Sequence, residues 1–242
     1  RRAPARLAGS ILARDLAIGG ERWSKGRRLT VEDLHAVAAA PHGPAISVVV
    51  PEAGELHEDD AALRLATAVA GPGLTLRGPA QSRVDLLAAH AGVLNVRIAE
   101  LERVNRIDPL EVFTAFDGQV VDTGDLVASV KVAPHVVDAA TVDEGARVAR
   151  FAGHPLVWVA PFVPARVGVI VKESLRAADR QRFEASVRAK VEGLGSELVA
   201  IDYVEDTVDA VEASLATFTQ PPDSVELILT AGAIAAVVGL LN

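Results

Sequence analysis

A run of branched apolar residues near the C-terminus, Val225–Leu229, stops at the small residues Thr230, Ala231 and Gly232. This pattern predicts a buried parallel strand that ends in a loop. A second strand of the same kind, Arg166–Val171, ends in Lys172-Glu173-Ser174. Since open α/β sheets bind ligands at the carboxyl ends of their strands, the crevice between these two loops is the candidate site.

Apolar positions in this part of the chain alternate between strand and helix spacing. The pattern predicts three strands and two helices, in the order strand Val167–Val171, helix Ala178–Val191, strand Glu197–Ile201, helix Thr207–Phe218 and strand Val225–Leu229. Alternation of this length indicates a parallel sheet with right-handed crossovers. Pro161 and Pro164 mark a boundary, so we predict an α+β domain over residues 1–160 and an α/β domain over residues 161–242.

Within residues 1–160 the pattern mixes short strands and helices. Two helices are predicted with start signals, Val31–Ala39 behind the cap Thr30 and a second from Glu58 to about Ala70. Four further predictions concern less regular stretches: a helix reached through Ser82–Leu87, a hairpin-like unit over Val120–Lys131, irregular chain over Val136–Val148, and a core helix over Ala231–Leu241.

Composition narrows the function classes. Half of the residues are hydrophobic but only 4% are aromatic, which predicts an aliphatic core. The net charge of −8 argues against nucleic-acid binding, because phosphate contacts need a basic face. The absence of cysteine excludes disulfides and thiolate metal sites, and fits a cytoplasmic location. No apolar run reaches the roughly 20 residues of a membrane helix, so we expect no membrane partner.

The sequence contains no methionine, where several are typical of a chain of this size, and it begins at Arg1. We therefore expect residues of the natural chain, methionines among them, to be absent from it. A join is expected near Gly232–Ile234, where a loop motif runs directly into an apolar tail. The second domain is then incomplete in this sequence.

Three polar groups in the first domain have both a structural and a functional interpretation. Glu58-Asp59-Asp60 beside His57 suggests a metal cluster, but acids in the first turn of a helix also complement its dipole, which we favour. Arg83 either contacts an anion or pairs with Asp85 on the surface, and the pair is favoured. A third group, Asn105, Asp108 and Lys131, is interpreted as turn and strand-edge structure.

Several segments, taken in order, carry a resemblance to a known family. They are Gly9–Leu16, Lys25–Leu34, Ser82–Leu86, Val104–Asp108, Gly124–Lys131, Val167–Ser174, Leu194–Ser196 and Thr230–Ala233. Together they resemble the bacterial molybdopterin-binding proteins. The C-terminal part is similar to the molybdenum-insertion, molybdopterin-adenylylating and CinA-like proteins. The resemblance implies a three-layer second domain with a mostly parallel sheet.

The resemblance also implies a ligand, molybdopterin or its nucleotide form. Its phosphate needs backbone N–H donors and small residues that admit a close approach. The residues assigned to the site are Lys172, Glu173, Ser174, Thr230, Ala231, Gly232 and Ala233. Within this set, Thr230 and Ser174 offer hydroxyls, Lys172 offers charge, and Glu173 accepts from pterin nitrogens.

Three functions remain open at this point. In the first, the chain is a factor in molybdenum cofactor biosynthesis, and Mg²⁺ and ATP are further ligands if it transfers nucleotides. In the second it is a non-catalytic carrier or regulatory module, and in the third it is a CinA-like nucleotide pyrophosphatase. Metal-assisted chemistry needs a carboxylate near the phosphates, and Glu173, Asp202 and Asp206 are the candidates. The resemblance further suggests a homodimer.

Overall fold

The computed structural model describes residues 7–40, 45–221, 224–232 and 237–240, the last four by their backbone. Chain contacts divide it into two units, Arg1–Pro161 and Phe162–Asn242. Both contain helices and strands, which confirms the predicted mixture of α and β structure. No helix within the described ranges combines the length and apolar character needed to cross a bilayer.

Besides a short 3₁₀ helix at Phe151–Gly153, the described residues of the first unit form four α-helices and most of the strands. In chain order they are β1 Ile11–Leu12, β2 Leu16–Ile18, β3 Glu21–Trp23, α1 Val31–Ala39, β4 Val48–Val49, β5 Glu55–His57, α2 Glu58–Val69, β6 Leu74–Ala80, β7 Arg83–Ala88, β8 Gly92–Val96, α3 Ile98–Asn105, β9 Leu110–Thr114, β10 Val120–Val121, β11 Leu126–Val132, β12 Val136–Asp138, α4 Ala139–Ala149 and β13 Val157–Pro161.

The main core of the first unit lies around α2. Strands β6, β7, β11 and β9 form an antiparallel sheet in that order, and β10, β8 and β13 form a second one. Leu65 and Val69 of α2 are fully buried with Val84 and Leu86 of β7 and with Leu94 of β8. The core is aliphatic, as the composition predicts.

A smaller lobe at the start of the chain has its own core. Leu12, Ile18, Trp23, Leu29 and Leu34 pack together under the β2–β3 hairpin and α1. Thr30 begins α1 with a capping box, in which its hydroxyl accepts from the Asp33 N–H and the Asp33 carboxylate accepts from the Thr30 N–H. The sequence prediction of this helix and its cap is confirmed.

The second unit consists of β14 Arg166–Val171, α5 Ala177–Gly193, β15 Glu197–Tyr203, α6 Val208–Phe218, β16 Leu227–Ala231 and β17 Val237–Leu240. Strand β14 lies between β15 and β16 and is parallel to both, whereas β17 pairs antiparallel with β16. On one side, Val167, Val169 and Val171 pack with α5. On the other, Ile170 and Ile228 pack with Phe218 of α6.

Two predictions about β-rich stretches are wrong. Residues 83–88 form strand β7, which pairs with β6 and β11 and alternates buried with less buried positions; no helix follows. Residues 120–131 do not form a hairpin, because β10 pairs with β8 while β11 pairs with β7 and β9. The pairings of β7 with β11 and of β10 with β8 join residues distant in sequence, so local pattern does not identify them, whereas β6 is separated from β7 by only the turn Gln81-Ser82.

Two predictions about helices are also wrong. Residues 136–148, expected to be irregular, contain β12 and α4, and the Asp138 carboxylate caps α4 by accepting from the Ala140 N–H. Gly145 obscures this helix in the sequence, yet a side chain there would meet Leu110. The expected helix over residues 231–241 is wrong at Val237–Leu240, which form strand β17 at the edge of the sheet, whereas residues 233–236 and 241 lie outside the described residues.

Candidate functional site

The ends of β14 and β16 are adjacent in the second unit. Val171 is in register with Ala231, and the Lys172 N–H donates to the Ala231 carbonyl at 2.8 Å. Lys172 and Gly232 therefore leave the sheet side by side. The structure brings together the two loops that the sequence singles out.

Gly232 lies directly against the Lys172 side chain. A Cβ built on Gly232 would stand 3.2 Å from Lys172 Cβ and 3.3 Å from Cε. Separations of this size are tighter than ordinary van der Waals contact, so any larger residue at 232 must displace the lysine. Because Gly232 has no side chain, the backbone of this loop stays accessible beside the Lys172 side chain.

The Lys172 ammonium is fixed by an ion pair. Its Nζ lies 3.2 Å from Asp206 Oδ1, in the segment that follows β15. The lysine side chain is 22% exposed and the aspartate is 63% exposed. The pair thus holds one positive group over the strand ends without removing it from solvent, and an arriving anion competes with Asp206 for it.

The loop from β14 to α5 presents the remaining polar groups. Glu173 and Ser174 are exposed. Helix α5 begins at Ala177 without a side-chain cap, because its N-cap residue is Arg176. Uncapped N–H groups at a helix start favour negative charge. Together these groups can donate to a phosphate near the ends of the strands.

Two of the predicted site residues lie in a strand and not in the predicted loop, and a third lies outside the described residues. Thr230 and Ala231 belong to strand β16, so their backbone groups take part in the sheet beside Ile170 and Val171. The predicted loop therefore starts at Gly232. Ala233 lies outside the described residues.

Asp202, one candidate carboxylate, accepts a hydrogen bond within the fold. The Ser214 hydroxyl on α6 donates to its Oδ2 at 2.7 Å, and Ser214 is buried. Asp206 is paired with Lys172, as described above. Both aspartates near the strand ends thus have protein partners, and Glu173 is exposed, as Asp206 also is.

A tyrosine cluster at the end of β15 was not anticipated. The Tyr203 hydroxyl donates to Glu184 at 3.1 Å, and the Arg180 guanidinium lies 3.6 Å from the ring centroid. Burial and the hydrogen bond to Glu184 raise the pKa of Tyr203. Tyr203 is in register with Val171, so the cluster joins α5 to the strand end next to the candidate site. The sequence feature that could have drawn attention to this cluster is that Tyr203 is the single tyrosine of the chain.

The acids at the start of α2 are each engaged separately. Glu58 pairs with His135, the Asp59 carboxylate accepts from the Ser82 N–H, and Asp60 pairs with Arg28. Across the described part of the chain, no group of three or more potential metal ligands converges. Asn105 has a structural role, because its amide exchanges two hydrogen bonds with the Val112 backbone.

Arg83 and Asp85 form the pair that the sequence favours. Arg83 Nε lies 2.6 Å and Arg77 Nη2 lies 2.9 Å from the Asp85 carboxylate, which also accepts from the Ser129 hydroxyl. Burial of Asp85 opposes its ionisation, but the hydrogen bonds from Arg77, Ser129 and Arg83 outweigh burial and lower its pKa to about 2. These contacts join β6, β7 and β11.

We expect this carboxylate to make the first unit acid-sensitive. A lowered folded-state pKa adds stability that is complete above the unfolded pKa of about 4 and is lost as the pH falls towards 2. Asp85→Asn should lower the free energy of unfolding by about 1 to 2 kcal/mol at neutral pH. It should also reduce the loss of stability between about pH 4 and about pH 2. Urea unfolding at several pH values measures both effects. Asp143→Asn, which breaks an exposed pair with Arg64, is the control. If native protein and Asp85→Asn lost stability equally as the pH falls, Asp85 would not be the cause of the acid sensitivity.

Comparison of the chain with protein-family models, with curated proteins and with solved structures found no match.

Proposed function

We propose that the second unit binds molybdopterin or its nucleotide form at the ends of β14 and β16, in or alongside molybdenum cofactor biosynthesis. The observation that carries the proposal is the contact between the two strand ends, where Lys172 and Gly232 leave the sheet side by side. We further propose that this unit is a three-layer domain with a mostly parallel sheet. The packing of α5 and α6 on opposite faces of β14 supports that arrangement.

The residues at this position suit a phosphate group. Lys172 supplies a positive charge, Ser174 supplies an exposed hydroxyl, and the uncapped start of α5 supplies N–H donors. Gly232 leaves room for the phosphate to approach the backbone. Glu173 is exposed nearby and has the acceptor oxygens that a pterin ring needs for its N–H groups.

Binding without chemistry is the form of this function that we favour. Asp202 accepts from Ser214 and Asp206 pairs with Lys172, so both aspartates already have partners inside the fold. Nucleotide transfer with Mg²⁺ and ATP, or hydrolysis of a dinucleotide, would require these carboxylates to exchange partners. Hydrolysis of ADP-ribose to AMP and ribose 5-phosphate by the purified protein would favour the CinA-like alternative over a carrier or regulator.

We expect Gly232→Val to weaken molybdopterin binding about tenfold or more. The valine side chain forces Lys172 away and covers the backbone that the phosphate approaches. The measurement is the amount of pterin retained by protein purified from a molybdenum-competent host, detected by mass spectrometry and by fluorescence of the oxidised pterin.

Gly193→Val is the matched control, because a Cβ on Gly193 meets nothing within 4 Å. It should retain pterin like the native protein. Thermal unfolding of both variants should stay close to native, since Gly232 does not occupy a positive-φ conformation. Retention of native pterin levels by a folded Gly232→Val protein would overturn the proposed site.

Two subsidiary proposals accompany this function. A cytoplasmic location agrees with the lack of cysteine. A homodimer follows from the family resemblance, and sedimentation velocity of the purified chain tests it. The ligand in this proposal is a small pterin or nucleotide, and neither nucleic acid nor a membrane takes part.

A further inference from the structure

The first unit contains a polar cavity of about 600 Å³. The hairpin lobe, the start of α2, the β6–β7 turn and the end of β11 surround it. Its ionisable lining residues are Asp15, Arg22, Lys25, Glu58, Lys131 and His135. The volume is typical of a small-molecule site, but this lining is charged rather than aromatic, which points to a polar ligand.

Positive charge is in excess at this cavity. Arg22 is neutralised by Asp15, whose carboxylate lies 2.6 Å from the guanidinium. The Lys25 and Lys131 ammonium groups make no ion pair within 4 Å among residues 7–40, 45–221 and 224–232. With Glu58 included, Lys25 and Lys131 leave the lining with one formal positive charge in excess, in a protein whose net charge is −8. Such a local excess attracts an anion.

A buried carboxylate orients the histidine of the cavity. Glu58 is 7% exposed, and its Oε2 lies 3.0 Å from His135 Nδ1. This contact engages Nδ1 with the carboxylate and leaves Nε2 as the other ring nitrogen. The other carboxylate oxygen is packed against the Gly26 backbone, where a built Cβ would come within 2.3 Å. His135 is therefore held with Nε2 available to a molecule in the cavity.

The β6–β7 turn is also fixed at this cavity. Gln81 and Ser82 form the two-residue loop between Ala80 and Arg83, and their φ values of 51° and 64° are those that a tight hairpin turn requires. The turn is secured because the Ser82 N–H donates to Asp59 and its carbonyl accepts from the Val132 N–H. Both residues line the cavity.

We propose that this cavity binds a small phosphorylated molecule, with its phosphate at Lys25 and Lys131 and a hydroxyl or amine of the ligand at His135. A phosphate offers acceptor oxygens in several directions and so satisfies two ammonium groups at once. The site is separate from the strand ends of the second unit. It stands whether or not the proposed pterin function is correct.

The full chain is titrated with inorganic pyrophosphate at low salt. Calorimetry measures the binding, and NMR follows the imidazole resonances of His135. We expect saturable binding that shifts the His135 signals, and a loss of about tenfold in affinity in Lys25→Gln/Lys131→Gln. The charge-matched control is Arg188→Gln/Lys190→Gln on α5, which should bind like the native protein.

The second unit also offers a lysine to an anion, so the titration is repeated with Gly232→Val. Unchanged affinity in that variant, with loss in Lys25→Gln/Lys131→Gln, assigns the binding to the cavity. The lysines are exposed, and circular dichroism checks that their variants fold. The proposal is overturned if native protein shows no saturable binding up to about 10 mM pyrophosphate, or if the lysine variant binds equally well.

Discussion

Replacing Leu65 by alanine is expected to lower the free energy of unfolding of the first unit by about 3 kcal/mol. Leu65 is fully buried in the middle of α2, inside the aliphatic core. The substitution removes apolar contacts and leaves a cavity that close-packed neighbours fill only in part. No other side chain of α2 combines equal size with complete burial at the centre of the helix.

Urea unfolding followed by tryptophan fluorescence measures this effect in the correct unit, because both tryptophans, Trp23 and Trp158, belong to the first unit. Leu63→Ala is the matched control. Leu63 lies on the same helix but is 38% exposed, so its truncation should cost less than about 1 kcal/mol. Equal losses for the two variants would show that α2 does not direct Leu65 into the core.

For the second unit, Gly168→Val should cost about 2 kcal/mol through overpacking. A Cβ on Gly168 would lie 2.9 to 3.0 Å from three atoms of the Phe218 ring. Phe218 is 2% exposed and is packed with Ile170, Val225 and Ile228, so the ring has little room to move. The glycine in the middle of β14 is therefore what allows α6 to pack closely on the sheet.

A double-mutant cycle separates this contact from the strand preferences of valine. In a Phe218→Ala background, Gly168→Val should cost at least about 1 kcal/mol less than in the native protein. Amide hydrogen exchange of β14 and β16 reports the stability of this unit. Additive losses across the cycle would contradict direct packing between the valine and the ring.

Local sequence determined the elements whose signals are short-range. Helix α1 follows from the apolar spacing of Val31–Ala39 and from Thr30, which caps the N–H of a residue three positions away. The alternation of strands and helices after Pro164 likewise identified β14, α5, β15, α6 and β16 to within a few residues. These features depend on periodicity and on neighbours a few positions along the chain.

The candidate site was predicted in part. Two strands that end in small or polar residues indicated where a ligand would approach, and Lys172 and Gly232 do leave the sheet together. The sequence did not indicate that Asp206 pairs with Lys172 or that Ser214 donates to Asp202. Those partners belong to other elements, and their distance is set by how the strands and α6 pack.

The sequence by itself determined an aliphatic chain of mixed helices and strands, the cap of α1, and the strand ends that form the candidate site. Tertiary structure decided that residues 83–88 are a strand between the neighbouring β6 and the distant β11, which supply the hydrogen bonds that a helix would have made internally. It also decided the polar cavity, where His135 meets Glu58 across 77 positions of the chain. Contacts between residues so far apart depend on the packing of whole elements, which no local pattern of apolar and polar residues records.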